Sequence, residues 1–335
     1  MKRRQEGVTL IELMISLVLG LLVAGLAIQL LLQSRNSQST QEATSYLQES
    51  ARYVVYRLRP IIRNAGYAGC ANVRGLVGSE DVDREYDISQ PFGGSQASYK
   101  GESYWKLSFV AAEKFGSDVP LSAPMTGLGS EIVAGDFLNT DYDYRGDFKD
   151  VVDASGVALV TDCEAADIFA LDPDPADPSG STYAIDDGAL GVKVTPKTAL
   201  SQLYGSGNSA NSYLYPIRRW ELELRDQTTD TNEPALFLVD VDGPSGTKYN
   251  ELVSGIKEGS YKVTVSLDTD GDGQPDELKQ DPAAVNTADT WNQIVRVELA
   301  FTLRSQPGVV PGGDNDGRLE RQFQLTFSPR NLQLR

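Results

Sequence analysis

The stretch EGVTLIELMISLVLGLLVAGL, residues 6–26, decides how the rest of the chain is read. It opens on a glutamate and a glycine and then turns almost wholly apolar. Yet it carries a second carboxylate, Glu12, one turn into the run. The apolar run extends from Val8 to Leu32, interrupted only by Thr9, Glu12, Ser16 and Gln29. As a helix of about 25 residues at 1.5 Å each it would be roughly 37 Å long, enough to cross a bilayer. Lys2, Arg3 and Arg4 precede it, which places the N-terminus in the cytoplasm and the remainder outside. A secretory signal peptide would have a shorter apolar core followed by a small-residue cleavage site. Here the core is longer and leads into QSRNSQSTQEATSYLQESARYVVYRL, residues 33–58, a polar helical segment. A plain anchor explains the length but not Glu12, because an intramembrane carboxylate is costly and usually functional.

Composition narrows the function classes. The 335 residues carry 47 Asp and Glu against 30 Lys and Arg, a formal net charge of −17. That balance argues against nucleic acid as a partner, since phosphate contacts need clustered cations. The chain has no histidine. Ser-His-Asp and Cys-His catalysis and His-ligated metal centres are therefore excluded, and the chain is read as a non-enzyme. Two cysteines are too few for a disulfide scaffold and suit one bridge.

The N-terminus resembles a type IV prepilin leader: Lys2-Arg3-Arg4, then Gly7, then Val8-Thr9-Leu10-Ile11-Glu12-Leu13. The family has a short basic leader ending in glycine and a glutamate at the fifth mature position. The resemblance implies cleavage by a prepilin peptidase between Gly7 and Val8 and N-methylation of the new Val8 amine. Val8 stands where phenylalanine is more usual. Removing residues 1–7 takes away three basic residues and Glu6, so the mature chain is still more acidic. Val8 and Glu12 are four residues apart and share a helix face. When such helices leave lipid and pack into a filament, an unpaired carboxylate would be very costly. Pairing Glu12 with the Val8 amine of a neighbouring subunit removes that cost and sets the axial register. The alternative is an interfacial carboxylate that snorkels to lipid headgroups.

Beyond the span the helix continues. Tyr46, Leu47, Ala51, Val54, Val55, Leu58, Ile61 and Ile62 recur at spacings of three and four, an amphipathic stripe. Pro60 is expected to kink or end the helix, and NAGYAGC, with Gly66 and Gly69, to close it. The period then changes to two. QIVRVELAFTLR places Val295, Val297, Leu299, Phe301 and Leu303 on one face; RQFQLTF and YKVTVSL repeat the pattern. Further strands are expected at Trp105–Ala111, Val157–Thr161, Ile217–Leu224 and Leu236–Asp240, and the last two strands should form a C-terminal hairpin. The expected fold class is α+β and pilin-like: a long N-terminal helix packed on an antiparallel sheet. Its segments are a leader (1–7), a membrane or filament-core helix (8–32), an amphipathic continuation (33–65) and a β-rich outer domain (66–335). The order of elements between about 75 and 210 does not emerge from the sequence.

RNAGYAGC at 63–70, TDCEAADIFAL at 161–171, ELVSGIKEGSYKVTVSLDTDGDGQPDE at 251–277, the W..IV.V.L...R pattern from Trp291 to Arg304 and the terminal RNLQLR resemble the PilW type of minor pilin. Its counterpart in type II secretion is the J-type minor pseudopilin. Major pilins are usually far shorter and commonly carry a proline in the membrane half, and this chain has neither feature. The resemblance implies a structural role in initiating pilus assembly at or near the tip, and the rival is a pseudopilin. Implied partners are other minor pilins, the major pilin, the prepilin peptidase, the inner-membrane assembly platform and a PilY-type tip adhesin. The implied location is the inner membrane, with the C-terminal domain periplasmic, and then the pilus on the cell surface.

Five other features invite a role. Cys70 and Cys163 lie beyond the membrane, where a disulfide is expected; two buried thiols are the alternative. DTDGDGQPDE, 268–277, has Asp268, Asp270 and Asp272 at alternating positions, then Gly273 and Asp276, a spacing that brings carboxylates onto one calcium ion. Lys279 holds the twelfth position, which excludes an EF-hand. A shorter calcium loop and a solvated hairpin turn remain open. Trp105, Trp220 and Trp291 read as core or sheet-edge packing, and Arg218-Arg219 as a solvated basic pair. The acidic run DFLNTDYDYRGDFKD, 136–150, carries no defined carboxylate pair.

Overall fold

The computed structural model describes residues 9–71, 76–78, 81–114, 118–135, 145–172, 185–186, 192–205, 211–228, 233–243, 246–310 and 314–329. They form a long N-terminal helix followed by antiparallel β-sheets, an α+β arrangement consistent with a pilin-like fold. The helix α1 spans Leu10–Asn64. Then come β1 (Leu76–Gly78), β2 (Phe92–Tyr99), β3 (Glu102–Ala112), β4 (Val119–Pro120), β5 (Ile132–Ala134) and α2 (Arg145–Ser155). The hairpin β6 (Val157–Thr161) and β7 (Ala166–Ala170) follows, with β8 (Ile185–Asp186) and β9 (Val192–Val194). The second half holds β10 (Tyr213–Asp226), β11 (Pro234–Asp240), β12 (Lys248–Ser254), β13 (Lys262–Leu267), β14 (Glu277–Gln280) and α3 (Pro282–Ala288). It closes with β15 (Ile294–Arg304), α4 (Asp314–Gly317) and β16 (Glu320–Phe327).

The chain divides into two compact units. One comprises 1–49 with 304–321, the other 50–303 with 322–335. In the first unit, α1 from Leu10 to Leu32 is exposed on every side, and the helix is apolar enough to cross a membrane. The loop leading to β16 is closed by Ser305, whose N–H donates to the Leu319 carbonyl (2.9 Å) and whose hydroxyl accepts from the Leu319 N–H (2.8 Å).

In the second unit, Ala51, Val54, Leu58 and Ile62 form the buried stripe of α1, at the helical spacing that the sequence dictates. Of the expected stripe, Tyr46, which falls in the first unit, is exposed. Pro60 does not end the helix, which runs on to Asn64. Pro60 itself is exposed, so water can satisfy the carbonyl that loses its helical partner. Termination falls at Gly66, in the left-handed region at φ 74°. The chain after the helix is tied to β3: Gly66 N–H donates to Val110 O and Ala112 N–H to Tyr67 O, both 2.9 Å.

The main sheet has nine strands, ordered β1-β7-β6-β10-β11-β12, with β2, β3 and β4 joined through β10. β10 is its spine, pairing antiparallel with β3, β4, β6 and β11. The expected strand there, Ile217–Leu224, is longer at both ends. A four-stranded sheet, β14-β13-β15-β16, makes β15 and β16 hydrogen-bonded neighbours as anticipated, and β5-β9-β8 form a third. One pairing departs from the antiparallel expectation: β1 runs parallel to β7.

The middle region is organised by α2. Phe148, Val151 and Val152 are fully buried at i, i+3 and i+4, in one core with Val160, Phe169, Val194 and Leu214. Trp220 and Trp291 are buried, Trp220 stacked on Phe109 at 6.1 Å and Trp291 against Trp105 at 6.5 Å. Across β15 the expected face is buried, while Glu298 on the other face is covered by Gln324, whose amide donates to it at 2.7 Å.

Candidate functional site

Glu12 sits in the first turn of α1 and its side chain is exposed. Its N–H donates to the Thr9 carbonyl (3.1 Å) and lies 3.4 Å from the Thr9 hydroxyl, so Thr9 caps the helix. Thr9-x-x-Glu12 is the spacing of a capping box, a signal in the sequence that the functional reading of Glu12 passed over. A carboxylate there is also favoured by the helix dipole. Among the described residues, no cation and no donor meets the Glu12 carboxylate. Gly7 and Val8, the expected cleavage and methylation site, lie outside the described residues.

Cys70 and Cys163 form a disulfide, with Cα atoms 4.5 Å apart across a sequence separation of 93. Two left-handed residues bring the segments together, Gly69 at φ 70° and Cys163 at φ 72°. A Cβ on Gly69 would stand 2.7 Å from both Thr161 Cγ2 and Tyr215 Cε2, so only glycine permits this approach. The bridge fastens the turn after α1 to the β6–β7 hairpin.

The DTDGDGQPDE loop is the connection of the β13–β14 hairpin. Asp268 is buried and its two oxygens accept the N–H groups of Gly271 (2.6 Å) and Gly273 (2.9 Å). Asp276 accepts from the Thr269 N–H and hydroxyl, each 2.8 Å, and from the Asp270 N–H at 3.2 Å. Those bonds from Thr269 hold its carboxyl below the usual range. Asp268, Asp270 and Asp276 each bring an oxygen within 4.8 Å of the others, a set that could hold one hard cation. Asp272 is not in that set; its Oδ1 accepts from the Gln274 N–H at 2.7 Å.

The basic pair on β10 is not a solvated face. Arg218 reaches Asp240 through two hydrogen bonds, pairs with Glu113 at 3.3 Å and lies 5.4 Å from the Trp220 ring. Burial alone would lower its pKa, but the Asp240 hydrogen bond and the Glu113 charge carry it upward. Arg219 pairs with Glu85 and Glu221, and Glu221 also takes Lys106 at 2.7 Å. The default failed because Glu85 comes from a turn far away in sequence that covers this face.

Arg218 also lines a cleft of about 720 Å³ with Arg57, Pro60 and Asn64 of α1 and with Lys114, Trp220 and Lys248 from the sheet region. Sequence reasoning had no handle on it, because its walls are more than a hundred residues apart.

A family model described as the prokaryotic N-terminal methylation motif matches residues 2–28. No curated protein and no solved structure matches the chain.

Proposed function

We propose that this chain, whose N-terminal motif and long apolar helix support a type IV pilin or pseudopilin, is a minor pilin of the PilW type that primes pilus assembly at or near the tip. The motif implies processing by a prepilin peptidase and membrane association through α1. The N-terminus is read as cytoplasmic and the β-rich region as periplasmic before assembly. The role is structural, without catalysis: it presents the apolar span of α1 and the sheet edges to other minor pilins, the major pilin, the assembly platform and a PilY-type adhesin.

One observation carries the reading. Among the described residues, Glu12 stands without a partner on an apolar helix whose span has no buried residue. Packing such helices together buries the carboxylate, and a buried unpaired charge costs about 3–5 kcal/mol. The Val8 amine of a neighbour, freed by cleavage after Gly7, is the cation that removes this cost.

The test is Glu12→Ala at native expression, scored for surface pili and for secreted enzymes, with mass spectrometry of the N-terminus. Normal cleavage with pili lost is the expected result. Intact pili with failed export would make the chain a type II minor pseudopilin instead, and no change in either would remove the role assigned to Glu12. A second reading, a calcium-dependent binding module at the tip, is favoured by the convergence of Asp268, Asp270 and Asp276.

A further inference from the structure

The last turns of α1 carry a charge pattern opposite to that of the whole chain. Between Ser50 and Asn64 stand Arg52, Arg57, Arg59 and Arg63 and no acidic residue, in a chain with 47 acidic and 30 basic residues. Arg52, Tyr56, Arg59 and Arg63 fall at i, i+4, i+7 and i+11, one face of the helix. That face lies about 120° round the helix from the buried stripe of Ala51, Val54, Leu58 and Ile62. Tyr53 and Tyr56 are interleaved with the arginines, and Tyr56 is 74% exposed. Among the described residues none of the four arginines forms an ion pair.

The helix dipole explains only part of this. Its effect fades within the last turn and so reaches Arg63 alone. Arg57 faces the 720 Å³ cleft, where its Nε is buried without a hydrogen-bond partner. Lys248 stands exposed on the same cleft, and among the described residues no acid pairs with it. The other cations there are already satisfied, Arg218 by Asp240 and Glu113 and Lys114 by Asp118. The face therefore offers spare positive charge, rigid aromatic area and a recess that can take a carboxylate.

We propose that this Arg/Tyr face of α1 and the adjoining cleft form a docking surface for an acidic protein segment of a partner subunit, with Arg57 and Lys248 receiving its carboxylate in the cleft. Charge complementarity selects the occupant. Arginine and tyrosine are the residues enriched where such contacts carry energy, and complementary charge raises association rate and partner choice. Anionic lipid is disfavoured by sequence spacing: twenty residues separate Arg52 from Leu32, the end of the apolar run, and lipid charge is screened within about 10 Å. The inference rests on the assembly reading only for the identity of the partner; the surface chemistry stands apart from it.

The experiment uses the purified full chain in non-ionic detergent and a short fluorescein-labelled oligo-glutamate peptide, followed by anisotropy. The wild-type chain is expected to bind oligo-glutamate more than about tenfold tighter than oligo-lysine, and to lose that binding at about 0.5 M salt. The combined Arg52→Gln, Arg59→Gln, Arg63→Gln variant should bind about tenfold more weakly with an unchanged melting curve, since glutamine keeps the helix. Arg57→Gln alone should weaken binding in the same direction, testing the cleft separately. Equal affinity of the triple variant and wild type overturns the proposal. So does displacement of the peptide by a short-chain phosphatidylglycerol at equal concentration, which would assign the surface to lipid headgroups. The titration needs no assembled filament, so its failure leaves the Glu12 experiment standing, and failure at Glu12 leaves the titration standing.

Discussion

Asp242, just past the end of β11, is 2% exposed; one oxygen accepts the Tyr86 hydroxyl at 2.9 Å and the other is buried without a partner. Burial pushes its carboxyl up to about 6, against the opposing Tyr86 hydrogen bond and Arg219 charge, with Asp240 adding to the rise. The unfolded chain holds such a group near 3.9. Between about pH 4 and pH 6 the native state keeps the proton while the unfolded state has lost it. Stability therefore falls as pH rises through that window, and the cost is complete above it. A shift of about two units corresponds to about 3 kcal/mol. Asp242→Asn imitates the protonated acid and still accepts from Tyr86. The two chains should match near pH 4, and the variant should be more stable by about 3 kcal/mol at about pH 7.5. Urea unfolding followed by the fluorescence of buried Trp220 and Trp291 reads this directly. Other carboxylates titrate alike in both chains, so the difference isolates Asp242. A gap that stays constant across pH would refute the reasoning, as would a wild type that is the more stable at neutral pH.

Two further outcomes follow from the β-rich region. Replacing Cys70 and Cys163 together by serine removes a cross-link spanning 93 residues, and the chain-entropy relation puts the loss at about 4.6 kcal/mol at 25 °C. Both cysteines are exposed, so the serine hydroxyls stay hydrated; an unchanged urea midpoint would count against the bridge as a stabiliser. If the β13–β14 loop holds calcium with the affinity of an extracellular module, about 10 mM calcium should stabilise the chain by about 1.5–3 kcal/mol. Asp270→Asn should abolish that response, and identical melting in calcium and in chelator would leave the loop a hairpin turn.

The sequence was most readable where one element decides its own face. The Ala51–Ile62 stripe and the alternation in β15 are local patterns, and Ala51, Val54, Leu58 and Ile62 on the one and Val295, Val297, Leu299, Phe301 and Leu303 on the other are buried. Val157–Thr161 emerged with its ends correct. The misses have a common physical cause, in that distant segments cover a surface that looked wet. Arg218 and Arg219 read as solvated because nothing nearby shows Glu85 or Asp240 closing over them. In α2, Phe148, Val151 and Val152 do carry helical spacing, but Phe148 lies inside, and the valines just after, an acidic run whose composition speaks for a loop. The parallel β1–β7 pair joins segments almost ninety residues apart, a pairing no periodicity encodes. In the acidic loop the spacing named four aspartates, but only Asp268, Asp270 and Asp276 converge in the hairpin, while Asp272 accepts from the Gln274 N–H outside that set.

Magnitudes decide between the two uses of Glu12. As a first-turn acid it gains about 0.3–1 kcal/mol from the helix dipole. Thr9 already lies 3.4 Å from the Glu12 N–H, so capping does not require a carboxylate three residues on. Against that small gain stands the cost of an acid in a lipid-length apolar segment, about 2.5–3.5 kcal/mol at mid-bilayer and less near the interface. A local role therefore does not repay its position. A cation delivered from another chain does, and it does so only in the assembled state, where the same charge left unpaired would cost about 3–5 kcal/mol. On the proposed assembly reading the carboxylate works by asymmetry: tolerable in the membrane near the headgroups, prohibitive in a misaligned bundle, and neutralised in one register. The substitution Glu12→Asp keeps the charge but shortens the side chain by one methylene, so it should preserve the helix start and lose that register. Counting surface pili at native expression checks this, and wild-type numbers would mean that reach does not set the register.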